Sequence, residues 1–368
     1  HSYTVKKYGS AGAYELGVPI NWAAYEDIAE FFSRTAIDGK KVYGHLDYGK
    51  KSPSLGWRFT DSWLAIAGVG DKGLPSGSPV DDWGIRAEEN IPKGSSMHYG
   101  GATNSPAAVY ALQTYIDWLK LYAPPEALSW RWEDAGARAA DGDIAQRIFQ
   151  YTTWLSDDKF TSPDSAMLGH DGFPVWRVAP TPHGRYWEEG MKSGYQDAGS
   201  WTIPKNTRDS KRDAAWLWAQ FCVSKTVSVD KFLIGGTPVR HSTIRSKYVQ
   251  SNKRKWGGII EFYSSKKESL WTDTGLNVPH YPLMSKIWWP QIARAIKGEK
   301  TAKQAMNTIA EKQDKIIETL EMAHLSPLLN DKKTDDYWLA LPGAPKPKRA
   351  REKPITINYE ALTQKKTK

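Results

Sequence analysis

Residues 270–289 read LWTDTGLNVPHYPLMSKIWW. Pro279 and Pro282 fix their own φ and push the residues before them toward extended backbone, so 278–282 is expected to be a stiff, non-helical connector. From Leu283 the composition turns to Leu, Met, Ile and Ala at helical spacing as far as Lys297. That pattern predicts a helix with Trp288 and Trp289 about one turn inside its entrance. Two indoles in that position can anchor a core, or offer flat faces to the C–H side of a sugar or polyol.

Outward from this stretch, the chain of 368 residues is long enough for two domains with separate cores. An apolar fraction of 40% with 25% charged residues is that of a globular protein. No run approaches the roughly 20 apolar residues that a membrane helix requires. The single cysteine, Cys222, excludes an internal disulfide and a cysteine-rich metal site, and its apolar helical neighbours suggest a buried thiol. Tryptophan is the compositional outlier, with 18 Trp beside 18 Tyr. The net charge of +9 is concentrated at the end: residues 343–368 hold eight Lys/Arg against Glu352 and Glu360, a net of +6. This Pro-rich basic tail reads as a solvated extension draped on the surface, with a nucleic-acid arm as the other reading.

Along the chain, His1–Gly17 lacks the charged start and apolar run of a signal peptide. A helix is expected after Pro19, with Asn21 as N-cap and Ala24, Ile28, Phe31 and Phe32 as its stripe. Lys41–Leu46 reads as a short strand, Trp63–Ala67 as helix, and Gly68–Gly101 as an irregular insertion. Ser105-Pro106 marks a helix start, with Val109, Leu112, Tyr115, Ile116 and Leu119 facing inward. Trp132–Ala140 reads as helix, the run from Gly142 to Tyr151 as a buried strand, Asp157–Gly172 as loop, and Trp176–Pro182 and Asp197–Lys205 as strands. Helices are expected at Asp209–Ser224, with Ala214, Leu217 and Phe221 on one face, and at Ser228–Ile234. Thr301-x-x-Gln304 is a capping box opening a long amphipathic helix.

Searches for chemistry return little. There is no GxSxG, P-loop, HExxH, CxxC or strand-to-helix GxGxxG. The eight histidines are scattered, so no metal set is expected. Acids beside aromatics, Trp132-Glu133-Asp134 and Trp187-Glu188-Glu189, keep a glycoside hydrolase with a Trp-lined cleft as the alternative reading.

The pattern Pro279-x-x-Pro282-x-Met284-Ser285-x-x-Trp288 resembles the segment of maltose-type periplasmic binding proteins that places an aromatic ring in the sugar cleft. Pro19 to Ala29 resembles the P-x-T-W-x-E-Y-x-x-I-A segment of family 1 extracellular solute-binding proteins, where it lies well inside the chain. Trp57-Arg58-Phe59, Ile148–Trp154, Gly199-Ser200-Trp201 and Pro279–Trp289 follow the order of that family's cleft segments. Gly235-Gly-Thr-Pro-Val-Arg-His resembles its return loop, and Asp197–Pro204 and Gly343–Leu362 resemble glycerol-type members. The resemblance covers about residues 15–342. It implies an α/β fold of the periplasmic-binding-protein-like type II class. Residues 1–202 and 246–330 would form the C-terminal lobe, 203–245 a crossover segment of the N-terminal lobe, and 331–368 a basic extension. The front of the N-terminal lobe has no counterpart in this sequence.

The resemblance further implies a periplasmic, non-enzymatic, cofactor-free component of an ABC importer that captures a sugar or small polyol and delivers it to the membrane permease. No nucleic-acid partner is implied, and the chain would be a monomer or paired with its own missing N-terminal segment. The implied ligand residues are Trp57, Trp201, Trp288, Trp289 and Tyr151 for ring stacking. Arg58, Thr152 and Asp197 would hydrogen-bond hydroxyls.

Overall fold

The computed structural model describes residues 7, 15, 17–70, 83–88, 91–149, 152–192, 195–196, 201–235, 237–264, 272–273, 280–321, 331–341 and 352–363. Seven helices carry the argument: α1 (Trp22–Arg34), α2 (Pro53–Arg58), α3 (Pro106–Leu121), α4 (Asp209–Cys222), α5 (Lys225–Leu233), α6 (Tyr281–Ile296) and α7 (Ala302–Glu321). Their starts follow local chemistry. Asn21 caps α1 by accepting from the Ala24 N–H, and Ser105 caps α3 by accepting from Ala108, with Pro106 at the first helical position. Thr301 and Gln304 close a reciprocal box at the head of α7: the Thr301 N–H donates to Gln304 Oε1 at 2.9 Å, and the Gln304 N–H donates to Thr301 Oγ1 at 3.1 Å.

Two helices differ from the sequence expectation. α2 runs without a break through a π turn (Phe59–Trp63) into Leu64–Ala67, so the predicted Trp63–Ala67 helix is the end of a longer one. Gly68, at φ +94°, terminates it. A Cβ there would stand 2.2 Å from the Tyr186 carbonyl carbon, so only glycine fits. α6 begins at Tyr281 rather than Leu283, because Pro282 sits in the first turn, where a missing N–H costs nothing. Pro290 lies inside α6 and removes one backbone hydrogen bond from its middle.

The main core gathers α1, α2, α3, α6 and α7. α6 packs on α7 and on α2, while α3 packs on α7. Trp22, Trp63, Trp83, Trp118 and Trp288 are all fully buried within it. Trp63 and Trp118 stand edge-on at 5.5 Å, and Tyr25 stacks on Trp118 at 4.8 Å. A smaller cluster around Phe232, Val249 and Ile260 and another around Phe160 and Met167 meet at Leu155 and Trp176.

Strands are short among the described residues. They are β1 (Val18–Pro19), β2 (Arg86–Glu88), β3 (Ile91–Gly94), β4 (Tyr195–Gln196), β5 (Thr272–Asp273) and β6 (Thr356–Ile357). β1 pairs antiparallel with β6, β2 antiparallel with β3, and β4 parallel with β5. The insertion predicted to be irregular therefore contains a hairpin, β2–β3. It is held to α7 by Asp314, whose Oδ1 accepts from the Ser95 N–H at 2.6 Å.

Of the strands expected at 41–46 and 142–151, residues 41–46 and 142–149 build no ladder and meet at one parallel bridge, Tyr43 to Ile144, and residues 150 and 151 lie outside the described residues. The donors that would build a ladder are engaged elsewhere. Gly44 N–H goes to Ser33 Oγ, His45 N–H to the Tyr122 carbonyl at the end of α3, and Gly49 N–H to Ala127. The 176–182 segment loses two donors to Pro180 and Pro182, and Val178 N–H pairs with Gly257.

The basic extension is docked where it is described. Besides the β1–β6 pairing, the Asn21 amide donates to the Lys353 carbonyl at 2.6 Å, and Asn21 Oδ1 accepts from the Ile355 N–H at 3.0 Å. No helix among the described residues is long and apolar enough to cross a membrane.

Candidate functional site

At the junction of α2 and α6 two of the expected rings meet. Gly56 brings the helices close: a Cβ there would lie 3.4 Å from Trp289 and 3.5 Å from Trp288. Trp288 is 1% exposed, between Phe59 at 6.1 Å and Trp83 at 5.8 Å, and its indole N–H has no hydrogen-bond partner among the described residues. Trp289 is half-buried beside it. Trp57, one residue after Gly56, is 45% exposed. Burial and the nearby Asp61 carboxylate push the pKa of the Tyr281 hydroxyl up, and the neighbouring Trp57 side chain opposes them only in part. Trp57, Tyr281 and Trp289 are thus the partly exposed rings near the sealed Trp288 indole.

Arg58 points the other way. Its guanidinium forks onto Asp47, with Nε to Oδ1 at 2.9 Å and NH2 to Oδ2 at 2.7 Å, and NH2 also donates to the Ile148 carbonyl. Both side chains are essentially buried, so Arg58 does not present its guanidinium to solvent as a hydroxyl-binding fork would. The Tyr115 hydroxyl donates to Asp47 Oδ1 at 3.2 Å, and the Tyr25 hydroxyl pairs with His45 Nδ1 at 2.8 Å. Burial alone would raise the Asp47 pKa, but the adjacent Arg58 wins and holds it below the usual carboxylate range. Burial depresses His45 to about 4, with Asp47 opposing only in part. At neutral pH the cluster is an ion pair with a neutral imidazole beside it. Sequence reading missed it because Lys41–Leu46 looked like an ordinary strand. The only trace was His45 and Asp47 alternating with Leu46 and Tyr48.

The remaining expected residues are placed unevenly. Trp201 is 60% exposed and stacks on Trp218 of α4 at 6.3 Å between centroids. Thr152 opens a 3₁₀ turn, Thr152–Ser156. Tyr151 and Asp197 lie outside the described residues. Of the acids kept for a hydrolase, Glu133 and Asp134 are exposed on the first turn of the Trp132–Arg138 helix. There Asp134 accepts the Arg131 N–H at 2.9 Å, an ordinary helix-start role. Among the described residues no group of three or more His, Cys, Asp or Glu is arranged to hold a metal ion.

A cavity of about 770 Å³ opens between α1, residues 144–149, residues 175–182 and the docked segment 358–360. Of the ring residues expected from sequence, the described ones, Trp57, Trp201, Trp288 and Trp289, are not among its lining.

The arrangement is an α/β fold of the periplasmic-binding-protein-like type II class. Among solved structures the chain is similar to maltose-bound MalE3 of T. maritima, with TM-score 0.59 and 19% identity over 85% of this chain and 68% of that one. It is similar to a ribitol complex of an ABC transporter solute-binding protein from Agrobacterium radiobacter K84, with TM-score 0.56 and 17% identity over 85% and 67%. It is also similar to UgpB of Mycobacterium tuberculosis in complex with glycerophosphocholine, with TM-score 0.56 and 14% identity over 87% and 68%. No protein-family profile matches the chain, and no curated protein matches it in sequence.

Proposed function

We propose that this chain is the solute-capturing component of an ABC importer, working outside the cytoplasmic membrane, where it binds a sugar or small polyol and presents it to the membrane permease. The observation that carries the reading is Trp57. Its indole neighbours Tyr281 and is 45% exposed, on a fold shared with proteins holding maltose, ribitol and glycerophosphocholine. Trp57 and Trp289 would stack on the ligand, with Trp201 a further open ring and Tyr151, Thr152 and Asp197 supplying hydrogen bonds. Trp288 and Arg58 would act from behind, the first by packing near these rings and the second by fixing α2 to Asp47. Glycerol-type ligands are the favoured subclass, on the sequence resemblance at Asp197–Pro204.

Calorimetric titration with glycerol, ribitol, maltose and glycerophosphocholine tests the reading. One of them should bind saturably without being turned over, and Trp57→Ala should weaken it by roughly 1–3 kcal/mol. No binding across the panel, or hydrolysis of a glycoside, would overturn the assignment.

A further inference from the structure

The 770 Å³ cavity lies within the range of small-molecule sites, and its chemistry differs from that of the Trp57 region. Its charged lining residues are Arg147, Arg177 and Glu360, a net of one positive charge. Its flat apolar walls include Phe149, Trp176 and Tyr359. A polyol has no use for net charge, whereas a carboxylate does.

The walls are built rather than incidental. Phe149 stands at φ +61°, a left-handed conformation that costs a non-glycine residue on the order of 1 kcal/mol. It is held there from behind: Arg58 donates to the Ile148 carbonyl, and its guanidinium lies 5.5 Å from the Phe149 ring centroid. Another part of the wall is set by Trp176, whose ring covers Gly257 so closely that a Cβ there would meet it at 2.4 Å. Arg177 is fixed by NH1, which donates to the Pro174 and Trp176 carbonyls at 2.5 and 2.8 Å. Tyr359 and the exposed Glu360 line it from the docked C-terminal segment.

We infer that this cavity is a second binding site, for a compact organic monoanion: a carboxylate on a cyclic hydrocarbon body, with the ring against Phe149 and Trp176 and the carboxylate toward Arg147 and Arg177. The inference does not depend on the polyol reading.

Titration of the full chain with benzoate, cyclohexanecarboxylate and 2-naphthoate tests it, with benzamide as the neutral control. At least one carboxylate should bind with a stoichiometry of one, and benzamide at least ~10-fold more weakly than benzoate. Arg177→Gln should weaken the carboxylate by about 10-fold at an unchanged melting temperature. Glu360→Gln, which removes the opposing charge, should tighten it by about 2-fold. Trp57→Ala should leave it unchanged. Absence of saturable carboxylate binding, equal binding of benzamide, weaker binding in Glu360→Gln, or loss in Trp57→Ala but not Arg177→Gln would each overturn the inference. A failed polyol panel with carboxylate binding intact would remove the transport reading and leave this one standing.

Discussion

The α2–α6 junction and helix α4 use the same residue type to opposite ends. At the junction, Trp63, Trp83 and Trp288 are sealed within a core of helices. On α4, Trp216, Leu217, Trp218 and Phe221 are all more than half exposed, and Trp218 stacks on Phe221 at 5.6 Å and on Trp201. Tryptophan abundance therefore does not identify a ligand ring. What distinguishes Trp57 is its setting, half exposed beside the Gly56 contact with Trp288 and Trp289.

The sharpest way to break this contrast is to attack the junction from its polar side. Arg58→Ala would strand the Asp47 carboxylate in the core and should cost about 3–5 kcal/mol in urea unfolding. A loss below about 1 kcal/mol would mean that the ion pair does not hold α2 in place. Trp288→Ala should cost a similar amount, about 3–5 kcal/mol, through the cavity it leaves.

Next comes pH. The His45 pKa is lowered in the folded state to about 4, so between about 4 and 6.5 the unfolded chain binds the extra proton. Stability should fall by up to about 3 kcal/mol as pH drops through that window. His45→Gln should flatten the slope there. The depressed Asp47 acts in the same direction but lower, losing its contribution as pH falls below the ordinary carboxylate range. An unchanged slope in His45→Gln would assign the pH dependence to other groups.

The smallest effect belongs to α4. Trp218→Ala should change stability by no more than about 0.5 kcal/mol while reducing binding of a hydrophobic dye. A cost above 2 kcal/mol would show that this face is covered in solution.

Features set by neighbouring residues were legible in the sequence, and features set by distant ones were not. The Ser105-Pro106 start and the Thr301–Gln304 box were readable because a cap involves only three or four positions. The inward stripe of α3 was readable from spacing alone. The 41–46 segment and the described part of 142–151 were misread because apolar alternation says a chain is extended, not whether its donors find a strand or a helix end. Arg58 looked like a ligand fork because its partner, Asp47, lies eleven positions away and approaches only in three dimensions. The apolar face of α4 was visible as a pattern, but periodicity does not tell what, if anything, lies against it.

Asn21 ties the opening turn of α1 to Lys353 and Ile355, more than three hundred residues downstream. While the chain emerges from the ribosome, the Ala24 bond can form at once, but the amide's other two partners have not been made. The fastening of this corner is thus among the last steps of assembly. A chain cut short before residue 353 would keep the helix and lose its latch.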